Sequence, residues 1–171
     1  SGVLWIATDN GLSYFSQKNI KFNNSLLFTD RRIDLNKLDK LNVKAITKSS
    51  DGTLWIGTDN GLYFSNNVNG KVIIKKHSAF TSENIWSLTA GNSNDIWVGT
   101  YGSGLFHLNH KTNKLTVHDI LLGVIKSTSR NFVKTVFKDD KNNLWVGYWG
   151  VGLARLNLTT GEVKNWLHQN E

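Results

Sequence analysis

The residues of this chain that could carry chemistry are five histidines, an aspartate pair, an arginine pair and several aromatic side chains in glycine-rich turns. His107 and His110 stand three apart, and on an extended strand that spacing sends them to opposite faces. They are therefore poor joint ligands for a metal ion, and His77, His118 and His168 stand singly. Asp139 and Asp140 run directly into Lys141, Asn142 and Asn143, the composition of a turn. A carboxylate pair for glycoside hydrolysis would have to be assembled from distant segments. Neither a nucleophile elbow nor a phosphate loop occurs. With no Cys, disulfides and thiolate metal sites are excluded. The expectation is a non-enzymatic chain with no catalytic residue, no metal and no cofactor.

Binding chemistry is better supplied. Tyr101, Tyr148 and Trp149 offer flat aromatic surfaces of the kind that stack on sugar rings. Asp59 and Asn60 can exchange hydrogen bonds with hydroxyl groups, but the same pair reads equally well as turn formers. For Trp149 the competing reading is burial under an adjacent loop. Arg31 and Arg32 suit carboxylate or sulfate groups through bidentate hydrogen bonds. They lie in a long connection, roughly residues 16–42, with Lys37, Lys40, Phe22, Leu26, Leu27 and Phe28. That stretch reads alternatively as a short helix capping the chain.

The elements that must position these residues announce themselves as a repeat. LWIATDNGLSYF at 4–15, LWIGTDNGLYF at 54–64, IWVGTYGSGLFHL at 96–108 and LWVGYWGVGLARL at 144–156 align without gaps in their first five positions. Their tryptophans are Trp5, Trp55, Trp97 and Trp145, spaced by 50, 42 and 48 residues. Nine positions before the last three tryptophans stand Ile46, Leu88 and Val136, and twelve before stand Val43, Ile85 and Val133. A period of this length fits a four-stranded propeller blade. In the second repeat the strands are 43–48, 54–58, 62–65 and 71–76, separated by Asp-Gly and Asn-Gly turns whose residues tolerate positive φ.

The strand LWIG does not alternate apolar with polar, so both of its faces must be covered, as happens when a blade is sandwiched between two others. Gly57, Gly99 and Gly147 then permit close backbone approach, with Ala7 at the same position of the first repeat. The fold class expected is all-β, a β-propeller segment of about four blades with four-stranded antiparallel sheets, the first incomplete. One domain spans residues 1–171, with blades at about 3–30, 42–77, 84–120 and 131–168. Trp86, next to Ile85 in an innermost strand, should point to the axial channel or a neighbouring blade, and Trp166 should pack at an outer edge.

Composition sets the remaining bounds. A hydrophobic content of 39% with 19% charged residues is that of a globular chain and not a disordered one. The net charge of +7 is scattered, with eight Lys or Arg in the first fifty residues and three in the next fifty, so no nucleic-acid footprint is expected. No apolar run is long enough for a membrane helix. Lacking Met and entering a strand motif almost at once, the chain reads as an excised segment. An open arc of blades would expose two apolar faces, so self-association is expected, two arcs completing an eight-blade ring.

At these residues the chain resembles the two-component regulator propeller repeat, whose mark is a strand reading L-W-I-G-T followed by a Gly-rich turn and Gly-Leu. Residues 51–64 (DGTLWIGTDNGLYF) lie close to it. The third and fourth repeats depart after the glycine, at Tyr101-Gly102-Ser103-Gly104 and Tyr148-Trp149-Gly150-Val151-Gly152. The resemblance implies the extracytoplasmic, periplasmic sensor region of a hybrid histidine kinase and response regulator in the inner membrane. It also implies an oligosaccharide or similar small ligand, anionic ones included, and further blades and a kinase elsewhere in the parent protein. A non-enzymatic propeller scaffold for protein partners is the alternative.

Overall fold

The computed structural model describes residues 3–16, 33–34, 38, 40–68, 71–92, 94–121 and 131–168. Fifteen strands are found among them: β1 Val3–Thr8, β2 Gly11–Ser16, β3 Ile33–Asp34, β4 Val43–Lys48, β5 Leu54–Thr58, β6 Gly61–Val68, β7 Lys71–Lys76, β8 Ile85–Ala90, β9 Asp95–Thr100, β10 Leu105–Asn109, β11 Lys114–His118, β12 Val133–Lys138, β13 Asn143–Tyr148, β14 Gly152–Asn157 and β15 Val163–Leu167. They form four sheets, β1–β2, β3 with β4–β7, β8–β11 and β12–β15, in which consecutive strands pair antiparallel. Innermost strands β4, β8 and β12 lie side by side, with β1 next to β4. The architecture is the all-β propeller arc that the repeat implies.

Between successive sheets sit three dry clusters. Trp55 and Leu62 of the second sheet meet Ile96, Val98 and Leu108 of the third. Trp97 and Leu105 of the third meet Leu144, Val146 and Ala154 of the fourth. Leu12 of the first sheet packs with Val43, Ile56 and Ile74 of the second. The motif strand thus sends its tryptophan forward to the next sheet and its flanking aliphatics back to the previous one. A Cβ added at Gly57 would sit 2.5 Å from Ile85 Cγ2, and one at Gly99 would sit 2.7 Å from Val133 Cγ1. Glycine is what lets the next innermost strand come this close.

The expectation that both faces of each motif strand are dry holds for β5 and β9, where Trp55 and Trp97 are buried. It fails at the two ends of the arc. Leu4 and Ile6 are exposed on β1, and Trp145 and Gly147 on β13 are only half covered, because no further sheet among the described residues lies against them.

A ring position not apparent from the repeat also recurs. His77, His118 and Trp166 occupy matching places after or within the outer strand, and their rings lie 6.1, 4.8 and 5.7 Å from Trp55, Trp97 and Trp145. His107 and His110 separate as the strand alternation requires. His107 stacks on Trp97 at 4.4 Å, and His110 meets Trp55 edge-on at 4.8 Å in the preceding junction.

Part of the 16–42 connection is described. β3 pairs parallel with β7, Ile33 opposite Val72, so the connection adds a fifth strand to the second sheet. An outer strand presents unpaired backbone groups, and this short segment satisfies part of that edge. Arg31 and Arg32 lie outside the described residues.

The indole N–H groups are anchored from the turn before the motif strand. Trp55 Nε1 donates to Ser49 Oγ at 3.2 Å, and Trp145 Nε1 donates to Asp139 Oδ2 at 2.9 Å. Asp139 also accepts from the Asn143 side chain and backbone and from the Lys141 backbone. These donors, the Trp145 indole foremost, hold its carboxyl down at about 2.

Two measurements follow from this packing. Gly57→Ala should lower unfolding stability by about 1–3 kcal/mol through overpacking, and the loss should shrink in an Ile85→Ala background that removes the opposing methyl. Asp139 stabilises the fold only as the anion. Its contribution is complete above the ordinary value of 3.8 and is lost as pH falls through about 2. Urea midpoints should therefore drop across that window in the native chain and drop less in Asp139→Asn, which starts lower at neutral pH.

Candidate ligand site at the mouth of the innermost strands

Each innermost strand carries a β-bulge at its second residue. Val43 pairs with Thr58 and Ala45 with Gly57, leaving Lys44 unopposed. Trp86 is skipped between Ile85 and Ser87, and Lys134 between Val133 and Thr135. A bulge re-aims the extra side chain. Here it releases three residues, Lys44, Trp86 and Lys134, from the inter-sheet packing that holds their neighbours.

These residues meet the turns that follow the motif strands. Tyr101 N donates to Asn84 O at 2.9 Å, and Trp149 N donates to Phe132 O at 2.9 Å, so each turn is tied to the start of an innermost strand. Gly102 N and Gly104 N both donate to Asn131 O, which pins the third turn to the fourth sheet. On this frame the Trp86 ring lies 4.6 Å from Tyr101 and 5.6 Å from Trp149, and Tyr101 lies 4.7 Å from Phe132. Lys134 Nζ sits over both indoles, 4.1 Å from Trp86 and 5.1 Å from Trp149. Lys44 Nζ also lies over Trp86, at 5.7 Å, and donates to Asn84 Oδ1 at 2.7 Å.

The result is a continuous aromatic surface flanked by two ammonium groups. Tyr101 is 48% exposed and Trp149 58%, so both side chains are partly open to solvent. Cation–π contact orients Lys134 without consuming its charge. Such a surface can stack a sugar ring and pair with a carboxylate or sulfate on it.

Comparison with known proteins gives this geometry a context. Residues 37–60, which span β4 and β5, match the family model described as the two-component regulator propeller. The matched segment is one such repeat's innermost and motif strands. No curated protein matches the chain. Among solved structures it is similar to the extracellular domain of a one component system from B. thetaiotaomicron, with TM-score 0.69, 16% identity, and coverage of 96% of this chain and 23% of that one. The extracellular domain of a hybrid two component system from the same organism gives TM-score 0.69 and 20% identity, covering 96% and 21%. Virginiamycin B lyase from Staphylococcus aureus gives TM-score 0.63 and 17% identity, covering 96% and 52%. The chain thus spans about a quarter or less of the length of these sensor domains. Identities this low show the propeller fold alone.

Set on the repeat, the residues expected to bind a ligand divide. Tyr101 and Trp149 come together through Trp86. Tyr148 does not join them: it occupies the place of Thr58 and Thr100 in the repeat and is 7% exposed. Burial, with the charge of Asp119, raises its phenol above the ordinary value, so it is a core residue and offers no stacking face. Asp59 and Asn60 belong to the second sheet's turn, where Asp59 Oδ1 accepts from Asn42 N and Asn60 Oδ1 accepts from Lys76 Nζ. Lys44, Trp86, Phe132 and Lys134 were not among the expected site residues. A signal for three of them exists, since Lys44, Trp86 and Lys134 each stand eleven before a motif tryptophan.

The cavity of about 450 Å³ between the third and fourth sheets is a separate feature, lined by Asp95, Trp97, His107, His118, Leu156 and Leu158 among others. His110 fills the matching space against Trp55 one junction earlier. His107 Nε2 is 3.4 Å from Asp95 Oδ2, and burial followed by the proximity of His107 pushes the His118 imidazole below its ordinary value. The lining is mainly that of an incompletely filled junction.

The division between core and mouth is measurable. Tyr148→Ala should cost about 3–5 kcal/mol of stability, as for other large buried side chains, whereas Trp149→Ala should cost about 1 kcal/mol or less. Chemical denaturation of the two variants separates the roles.

Proposed function

We propose that this chain is a ligand-sensing segment of the extracytoplasmic part of a two-component sensor, and that it binds an oligosaccharide at the Trp86–Tyr101–Trp149 surface without transforming it. The carrying observation is Lys134 Nζ poised over two indoles next to an exposed tyrosine. Two ammonium groups and no carboxylate in the cluster favour sugars bearing carboxylate or sulfate groups. The family description of residues 37–60 and the similarity to extracellular sensor domains support the signalling context. A kinase elsewhere in an inner-membrane parent belongs to the same reading. Non-catalytic binding is favoured because the cluster holds stacking and charge-pairing groups but no paired acid and base.

The test is calorimetric titration and thermal shift against neutral, uronate-containing and sulfated oligosaccharides. A ligand that binds only the folded state raises the melting temperature. An acidic oligosaccharide should do so, and Trp149→Ala and Lys134→Ala should each weaken it by about tenfold or more, or ~1.4 kcal/mol. No shift across the panel, or binding unaltered in both variants, overturns the assignment and leaves a protein-binding scaffold as the better reading.

A further inference from the structure

Two complete junctions of the arc can be compared position by position, and one is poorer in rings. Between the second and third sheets, Trp55 is surrounded by Phe64 at 5.4 Å, His77 at 6.1 Å and His110 at 4.8 Å. Between the third and fourth, His107 stands across from Trp97 as Phe64 stands across from Trp55. Ala154 takes the place of Phe106, opposite Val146 as Phe106 is opposite Val98. Leu158 takes the place of His110: His110 N donates to Asn94 O and Leu158 N to Asn142 O, the same bond in successive sheets. With no ring at that last position to lie against the indole, a cavity of about 450 Å³ remains beside Trp97. Pockets that take small molecules start at about 300 Å³.

The cavity has an apolar floor and a polar rim. Trp97 and Leu156 are buried, whereas the side chains of Asp95 and His107 are 24% and 27% exposed. Asp95 begins β9 and Asn157 ends β14, so this rim lies at the strand ends opposite Tyr101 and Trp149. Among the described lining residues Asp95 is the one carboxylate, and there is no lysine or arginine. Asn109 Nδ2 donates to Asp95 Oδ1 at 2.9 Å, and His107 Nε2 stays 3.4 Å from Oδ2, beyond a good hydrogen bond. Both oxygens keep accepting capacity. Burial, then the proximity of His107, holds the His118 imidazole below its ordinary value and so toward the neutral form. No three His, Asp or Glu side chains among the described residues converge as metal ligands would. The site is therefore negative at its rim and apolar at its floor, which suits an organic cation.

We propose that the junction between the third and fourth sheets is a second binding site, which takes a small organic amine. Its apolar body lies on Trp97, Leu156 and Leu158, and its protonated nitrogen pairs with Asp95. The charge preference is the reverse of that at the mouth, where Lys44 and Lys134 repel a cation. A ligand seated here touches two sheets at once and braces one against the other. The site shares no residue with the mouth, so it stands whether or not an oligosaccharide binds there.

The test is an amide and indole NMR titration of the complete chain with phenethylamine, phenethyl alcohol and phenylacetate, one apolar body carrying three charges. Phenethylamine should move the Trp97 indole and the Leu158 and Gly161 amides to saturation in about the millimolar range, as expected of so small a ligand. Phenethyl alcohol should bind about tenfold more weakly or worse, and phenylacetate should not bind. Asp95→Asn should erase the preference for the amine over the alcohol. Leu158→Trp should abolish binding by filling the cavity, with the melting temperature kept or raised. Leu158→His, which copies the preceding junction, is the companion variant and should weaken binding with less demand on the fold. The absence of any saturable shift overturns the proposal, as does equal affinity for amine and alcohol. Retention of the amine preference in Asp95→Asn overturns it too, and so does undiminished binding in either folded Leu158 variant. Shifts confined to the Trp86 and Trp149 indoles would move the probe to the mouth and have the same effect.

Discussion

A strand that is apolar on both sides has to be covered on both sides, and the rest of this structure depends on meeting that demand. LWIG-type strands cannot stand at a solvated surface, so each sheet requires a neighbour in front and behind. The tryptophan supplies area to the forward contact, and the glycine two residues on lets the next innermost strand approach within van der Waals range. The anchoring of the indole nitrogen by Ser49 or Asp139 then fixes the ring in one orientation. Gly91 stands at the matching place in the third sheet and has no side chain to offer. The junction after that sheet holds a cavity against Trp97.

Stacking sheets about an axis has a second effect. The turns after successive motif strands all emerge at one end, beside the starts of the next innermost strands. Backbone bonds such as Gly61 N to Glu83 O and Gly102 N to Asn131 O tie each turn to the start of the next sheet's innermost strand. Residues of different repeats thereby become neighbours. Trp86 and Trp149 touch because they belong to adjacent sheets at the same height, not because of any local motif.

Much of this was readable from the residues, and the misses have definite causes. The repeat placed the motif tryptophans, the glycines and the turns correctly, because period and turn chemistry are both local signals. Tyr148 was misjudged because it directly precedes Trp149 and shares its aromatic character. Alignment to Thr58 and Thr100 puts it in the buried slot instead. Trp86, Lys44 and Lys134 escaped as a set because a bulge cannot be recognised from a strand's apolar pattern. One extra residue shifts which face a side chain takes without altering composition. The short parallel strand β3 was equally invisible, since two residues, Ile33 and Asp34, carry no period.

The bulge has a wider implication. Lys44, Trp86 and Lys134 occupy one structural slot three times over, with two side chains of unrelated size and charge, while the strands around them are superposable in register. Whatever fills that slot is exempt from the ladder and from the inter-sheet core. A change there alters the chemistry the mouth displays and leaves the folding instructions intact. The chemistry of the mouth and structural integrity are thus assigned to separate residues, and a duplicated unit of this kind can change the surface it presents without first becoming a less stable protein.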